Sequence, residues 1–288
     1  MDTNGSVPLG GHEHKRHEYA GPPAWGGFEQ INEPIQEQWT YLSVANIMLA
    51  NSLLRSRPEV DANRIGITGI SWGGYLTCIT AGVDQRYKFA VPVYGSGFIG
   101  DSSAWTGAFK NMGEGGTKWL GLWDPSRYLK HARMPILWVY GTNDGAYYLD
   151  AVQKSYQLLP ANQSTLSTHV RMPHGHGGAG ENPEEIHAFA DHYLKGGPAL
   201  ARIRKQERKG NDVTVRYSSS QPIVRAELNF TKAHGSWLDR YWDTTPAQLD
   251  AKKRLVKATL PEGTSVYYVS LIDDKGLVVS TQHVEVAR

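Results

Sequence analysis

The segment Gly69-Ile70-Ser71-Trp72-Gly73 constrains this chain more than any other. It follows a short β-type run, Arg64 to Gly69, and opens directly into a helix-like stretch. Glycines two residues before and two after a serine let backbone segments pass close together in a strained turn between a strand and a helix. Such a turn holds the serine hydroxyl out at the edge of a sheet, which makes Ser71 the candidate nucleophile.

The neighbouring segments supply the alternation that this turn requires. Apolar residues recur near helical spacing from Gln38 to Ser56, and Pro58 follows the end. Further β-type runs lie at Phe89 to Tyr94, Pro135 to Tyr140 and His169 to Met172, each separated by enough chain for a crossover. Asn182-Pro183-Glu184-Glu185 has the cap, proline and acids of a helix start. The pattern predicts a mostly parallel sheet with helices on both faces. Its character changes after Lys195-Gly196-Gly197-Pro198. Residues 201–210 are basic and read as a solvated linker, and the short alternating runs over 211–288 predict a small β-sandwich. The expected organisation is a catalytic α/β domain over 1–200, the linker, and an all-β domain.

A serine hydroxyl is a weak nucleophile at neutral pH, so it needs a histidine base, and the base needs an acid to fix its tautomer. The run Pro135 to Tyr140 leads to a loop bearing Asp144, at the carboxyl edge where open α/β sheets place their sites. Asp124 and Asp150 are alternatives for the acid. Two histidines compete for the base in Pro173-His174-Gly175-His176-Gly177. The Gly-His-Gly setting favours His176, with His174 as a substrate-facing neighbour or the alternative base. The backbone N–H of Trp72, next to the nucleophile, is the expected first oxyanion donor.

Ser71, Asp144 and His176, in that order and in those strand contexts, resemble the α/β-hydrolase superfamily. The runs Glu59 to Tyr75, Gly141-Thr142-Asn143-Asp144 and Met172 to His176 are similar to the acetyl xylan esterase and prolyl-oligopeptidase-like bacterial hydrolases. The matching motifs cover about residues 35 to 200. The resemblance implies hydrolysis of esters, acetylated sugars or peptides with no metal or organic cofactor. It also implies strands before the nucleophile that this chain would lack, with Asn4 and Gly5 supplying the second oxyanion donor. A sheet opened at that edge is expected to pair with another copy of the chain.

Trp105, Trp119 and Trp123, between the second and third β-type runs, are candidates for lining a substrate pocket, and Trp25 belongs with them. His12, Glu13, His14 and His17 have a spacing that can bind a metal, but Lys15 and Arg16 among them favour a solvated loop. The single cysteine, Cys78, reads as a buried small side chain.

Composition removes other classes. Of 288 residues, 40% are hydrophobic and 31 are glycine, which suits a globular chain. A formal charge of +2 gives no field for nucleic acid. The run Ile65 to Val83 carries no charge but is too rich in glycine and hydroxyl residues for a membrane span. No leader is visible, so the chain as written is expected to stay in the cytoplasm. The function expected from these residues is a serine esterase for small or sugar-linked acyl esters. Alternatives are a prolyl-oligopeptidase-like peptidase, or a vestigial hydrolase whose β-domain binds a partner.

Overall fold

The computed structural model describes residues 24–175 and 180–286. The first part is a parallel sheet with strand order β1-β2-β3-β4, formed by β1 (Ile67–Ile70), β2 (Ala90–Val93), β3 (Ile136–Asn143) and β4 (Ser164–Pro173). The helices are α1 (Trp39–Ser56), α2 (Trp72–Val83), α3 (Thr106–Asn111), α4 (Glu114–Trp123), α5 (Ser126–Leu129), α6 (Leu149–Tyr156) and α7 (Glu184–Lys195). Strand order follows chain order, so each crossover lays the next strand beside the last. β2 and β3 lie inside it and are almost wholly apolar and buried, as a parallel sheet covered by helices requires.

Two details set how closely these layers pack. A side chain on Gly74 would drive its Cβ to 2.4 Å from the Val93 carbonyl, and one on Gly95 would meet the Gly74 backbone at 2.2 Å. The start of α2 therefore rests directly on the end of β2. α7 returns across the sheet with Phe189 and Tyr193 packed on Phe89. Its N-cap is Pro183, with no side-chain cap, and Asn182 pairs instead with His187.

The second part is two antiparallel sheets, the β-sandwich anticipated from the sequence. One has the order β5-β6-β10-β9, from β5 (Arg202–Lys209), β6 (Asp212–Ser218), β9 (Gln248–Asp250) and β10 (Leu255–Thr259). The other has the order β12-β11-β7-β8, from β7 (Ile223–Thr231), β8 (Asp243–Pro246), β11 (Val266–Asp273) and β12 (Val278–Ser280), with β13 (Val284–Glu285) also on β11. Val213, Val215 and Tyr217 alternate inward along β6. The basic stretch is not a linker. Residues 202–209 are β5, an edge strand whose ladder to β6 holds it while most of its charged side chains remain in water.

The sandwich docks on the outer edge of β4. The Ser280 hydroxyl accepts from Thr168 N–H at 3.1 Å, so it occupies the place of a neighbouring strand. Glu185 of α7 accepts from Val278 N–H, and Gln153 of α6 donates to the His283 carbonyl. At the opposite side β1 is the edge strand among the described residues, and α1, packed on α2, exposes Leu49, Leu53 and Leu54. That is the edge expected to pair with another copy.

Candidate active site

Ser71 is the residue between β1 and α2, with φ 58° and ψ −121°. A serine in the left-handed region is held there by its neighbours: Ser71 N–H donates to Val93 O at 2.9 Å, and Ser71 O accepts from Tyr75 N–H. The flanking glycines do not contribute equally. A Cβ on Gly69 would fall 2.4 Å from the Gly73 carbonyl oxygen, whereas one on Gly73 would meet nothing within 4 Å. The first glycine is the one whose missing side chain lets the turn close.

The Ser71 hydroxyl lies 2.8 Å from Nε2 of His174, and Nδ1 of that ring lies 3.1 Å from both carboxylate oxygens of Asp144. A carboxylate only accepts, so Nδ1 carries the proton and Nε2 is left as the acceptor for the serine hydroxyl. Asp144 is buried, and its Oδ1 also accepts from Ala146 N–H at 2.7 Å and Tyr147 N–H at 2.8 Å. Those two amides fix the carboxylate and balance part of its desolvation. Asp124 is spent on the N–H groups of Phe98, Ile99 and Ser126, and Asp150 accepts from Ser102.

The imidazole against Ser71 therefore belongs to His174 and not to His176, which lies outside the described residues. The reason is strand geometry. Ser71 is the first residue after β1, Asp144 the first after β3, and His174 the first after β4, so all three project from one carboxyl edge. Pro173 ends β4 and was the signal in the sequence, because proline closes an extended run and the next residue starts the loop.

Two phenols flank His174. The Tyr94 ring centroid is 4.9 Å from that of His174 and the Tyr147 ring 6.1 Å. Burial is the main cause that raises both hydroxyls' pKa, Tyr94 to about 12, and the Asp144 charge adds to it. Both stay neutral through the physiological range.

Trp72 is the first residue of α2, so its N–H has no acceptor inside the helix and is available beside Ser71. Asn4 and Gly5 lie outside the described residues, as do His12, Glu13, His14 and His17. Among the described residues no three His, Cys, Asp or Glu side chains are grouped to hold a metal ion. The Trp72 indole packs on Trp39, Tyr75 and Trp105, with Trp105 at 4.7 Å and half-buried. Trp25 is half-buried on Trp39. Trp119 and Trp123 are core residues: they are 2% and 6% exposed, and the Trp123 indole N–H donates to Gln38. A buried indole needs an acceptor, and Gln38 supplies it from a segment whose partnership the sequence did not reveal.

The sequence profile of the prolyl oligopeptidase family matches residues 29–196, more than half of the chain and all three residues of this hydrogen-bonded chain. The protein belongs to the prolyl oligopeptidase family. Among curated proteins no sequence matches. Solved structures with a similar fold include the acetyl xylan esterase from Paenibacillus sp. R4, with a TM-score of 0.50 and 21% identity over 66% of this chain and 60% of that one. Acetyl Xylan Esterase 1 from Thermoanaerobacterium sp. JW/SL YS485 gives 0.47 and 18% over 66% and 63%. A puromycin-hydrolyzing peptidase of Mycobacterium tuberculosis gives 0.44 and 20% over 55% and 26%. The chain thus spans about three fifths of the two esterases and about a quarter of the peptidase. The family's α/β-hydrolase sheet is present here with an all-β domain behind it, and no helix among the described residues is long and apolar enough to cross a membrane.

Proposed function

We propose that this protein is a serine esterase that hydrolyses short-chain carboxylic esters through Ser71, His174 and Asp144. The observation that carries the reading is the unbroken hydrogen-bonded chain from the Ser71 hydroxyl through His174 to a buried, doubly amide-bonded Asp144. As the Ser71 oxygen attacks the ester carbonyl carbon, its proton passes to His174 Nε2, and Asp144 stabilises the resulting imidazolium. The carbonyl oxygen becomes an oxyanion, toward which the Trp72 N–H is the available donor. Collapse breaks the bond to the alcohol oxygen, which leaves with the proton from Nε2. Water then gives a proton to the same nitrogen, attacks the acyl-enzyme, and releases the carboxylic acid with Ser71 restored.

The half-buried indoles of Trp72 and Trp105 beside the nucleophile favour a small apolar acyl group over a charged one. An acetyl group, on a sugar or an aryl alcohol, meets that description. The test is hydrolysis of p-nitrophenyl esters from acetate to octanoate, with aminoacyl p-nitroanilides in parallel, by the protein and its Ser71→Ala variant. Ester turnover that falls with acyl length and vanishes in the variant supports the reading. Faster anilide than ester cleavage would replace it with a peptidase, and equal inertness of both proteins would remove it.

A further inference from the structure

Tyr94 occupies an unusual place. β2 is flanked by the strand that delivers the nucleophile and the strand that delivers the acid, and Tyr94 is the first residue beyond its end. Its φ is 51°, a conformation that a bulky side chain rarely adopts. The backbone is pinned into it from both sides, since Val93 O accepts from Ser71 N–H and Tyr94 N–H donates to Val139 O. Strain of this kind persists where the surrounding structure imposes it and clusters at functional sites. Here its product is the direction of one ring. Tyr94 is 1% exposed, and its ring lies tilted by 45° against His174. Its hydroxyl end meets the backbone at Gly180. The Gly180 N–H faces the phenol oxygen, and a Cβ on Gly180 would fall 2.1 Å from that oxygen.

The other contacts of His174 leave this wall a clear task. Hydrogen bonds to Ser71 and Asp144 engage the two ring nitrogens, and packing on the ring face resists its tilting out of line between them. We propose that Tyr94 is a positioning residue for the base: its ring holds the His174 imidazole in line between Ser71 and Asp144, and its hydroxyl anchors that wall to the Gly180 backbone. The inference rests on His174 acting as the base of the proposed esterase.

The experiment uses Tyr94→Leu, Tyr94→Phe and Gly180→Ala in the full chain, with rates normalised to the folded fraction from thermal melts. Ester kinetics are paired with proton NMR of the strongly deshielded His174 Nδ1 proton, assigned by its loss in His174→Ala. In Tyr94→Leu we expect kcat to fall about 10²-fold, with KM within about twofold and the Nδ1 resonance broadened. Tyr94→Phe keeps the ring and should restore most of the rate and a sharp resonance. Gly180→Ala, which presses a methyl group on the phenol, should lower kcat without changing KM. A folded Tyr94→Leu with the parent's kcat and a sharp resonance would overturn the proposal, as would a rate loss fully accounted for by unfolding. Should Tyr94→Leu not fold, unchanged kcat and resonance in folded Gly180→Ala overturn it equally. The resonance needs no substrate, so the test stands apart from the esterase reading: inertness of the parent and Ser71→Ala alike would sink that reading while the NMR comparison still decides the role of Tyr94.

Discussion

The two amides that bind Asp144 determine what the isosteric change Asp144→Asn would do. Its side-chain oxygen would keep the bonds from Ala146 and Tyr147 N–H, so its NH2 group would turn toward His174. That group donates, so Nδ1 would have to accept, and the ring proton would move to Nε2, where it faces Ser71 and cannot take its proton. Turnover of p-nitrophenyl acetate should fall about 10³–10⁴-fold with an unchanged circular dichroism spectrum. The same logic separates the two histidines. His174→Ala should abolish turnover, whereas His176→Ala should keep it within about tenfold, and the reverse would return the base to His176. Ser71 and Asp144 were legible in the sequence because a strand-turn-helix signature and an apolar run point to each. His174 was harder to read, because glycine on both sides of His176 suggests a tight turn, whereas what brings an imidazole to Ser71 is proximity to the strand end. Tyr94 carries no sequence signal at all, since its importance lies in a backbone angle and a ring direction that only the packed sheet produces.

Elements couple the two parts of the molecule through the loop that carries the acid. Asn143 ends β3 immediately before Asp144, and its side-chain amide donates to both Leu238 O at 2.9 Å and Arg240 O at 2.8 Å. The β-domain segment before β8 is thereby fastened to the residue next to the catalytic candidate. Asn143→Ala removes both bonds and leaves two carbonyls to find water. We expect a loss of about 1–3 kcal/mol in urea unfolding and a fall in kcat that exceeds any change in KM. Equal stability of the variant and the parent would show that water replaces the amide without cost. The α/β elements could be read because their apolar runs are continuous, but β5 could not. Its side chains are nearly all charged and exposed, so nothing in its composition marks a strand, and its order comes from the backbone ladder with β6. α1 carries the opposite lesson: Trp39 is buried as its apolar spacing suggested, yet Leu49, Leu53 and Leu54 lie exposed on it. Periodicity located the helix without telling which turns have something to pack against.

At the scale of the molecule, His283 links acid to the docking of the two parts. Its ring is 3% exposed, packs edge-on against Trp237 and has no hydrogen-bond partner for either nitrogen among the described residues. Its carbonyl accepts from Gln153 of the α/β part. Burial, helped by the nearby Arg240 charge, lowers the imidazole to about 3. The unfolded chain would bind a proton there at about 6.5, and the folded chain refuses it until near 3. The unfolded state therefore binds more protons throughout that window, and stability rises with pH across it. The contribution is intact above about pH 6.5 and is lost progressively on acidification toward pH 3. His283→Phe keeps an aromatic ring against Trp237 and removes the titration. Urea midpoints at pH 7, 5.5 and 4 should fall more steeply in the parent than in this variant, with the gap reaching several kcal/mol, of the order set by the size of the shift. Carboxylates titrate in both proteins and cancel in the comparison. Parallel slopes would mean that His283 gains a proton without opening the fold, and the interface would then owe its acid sensitivity to other groups.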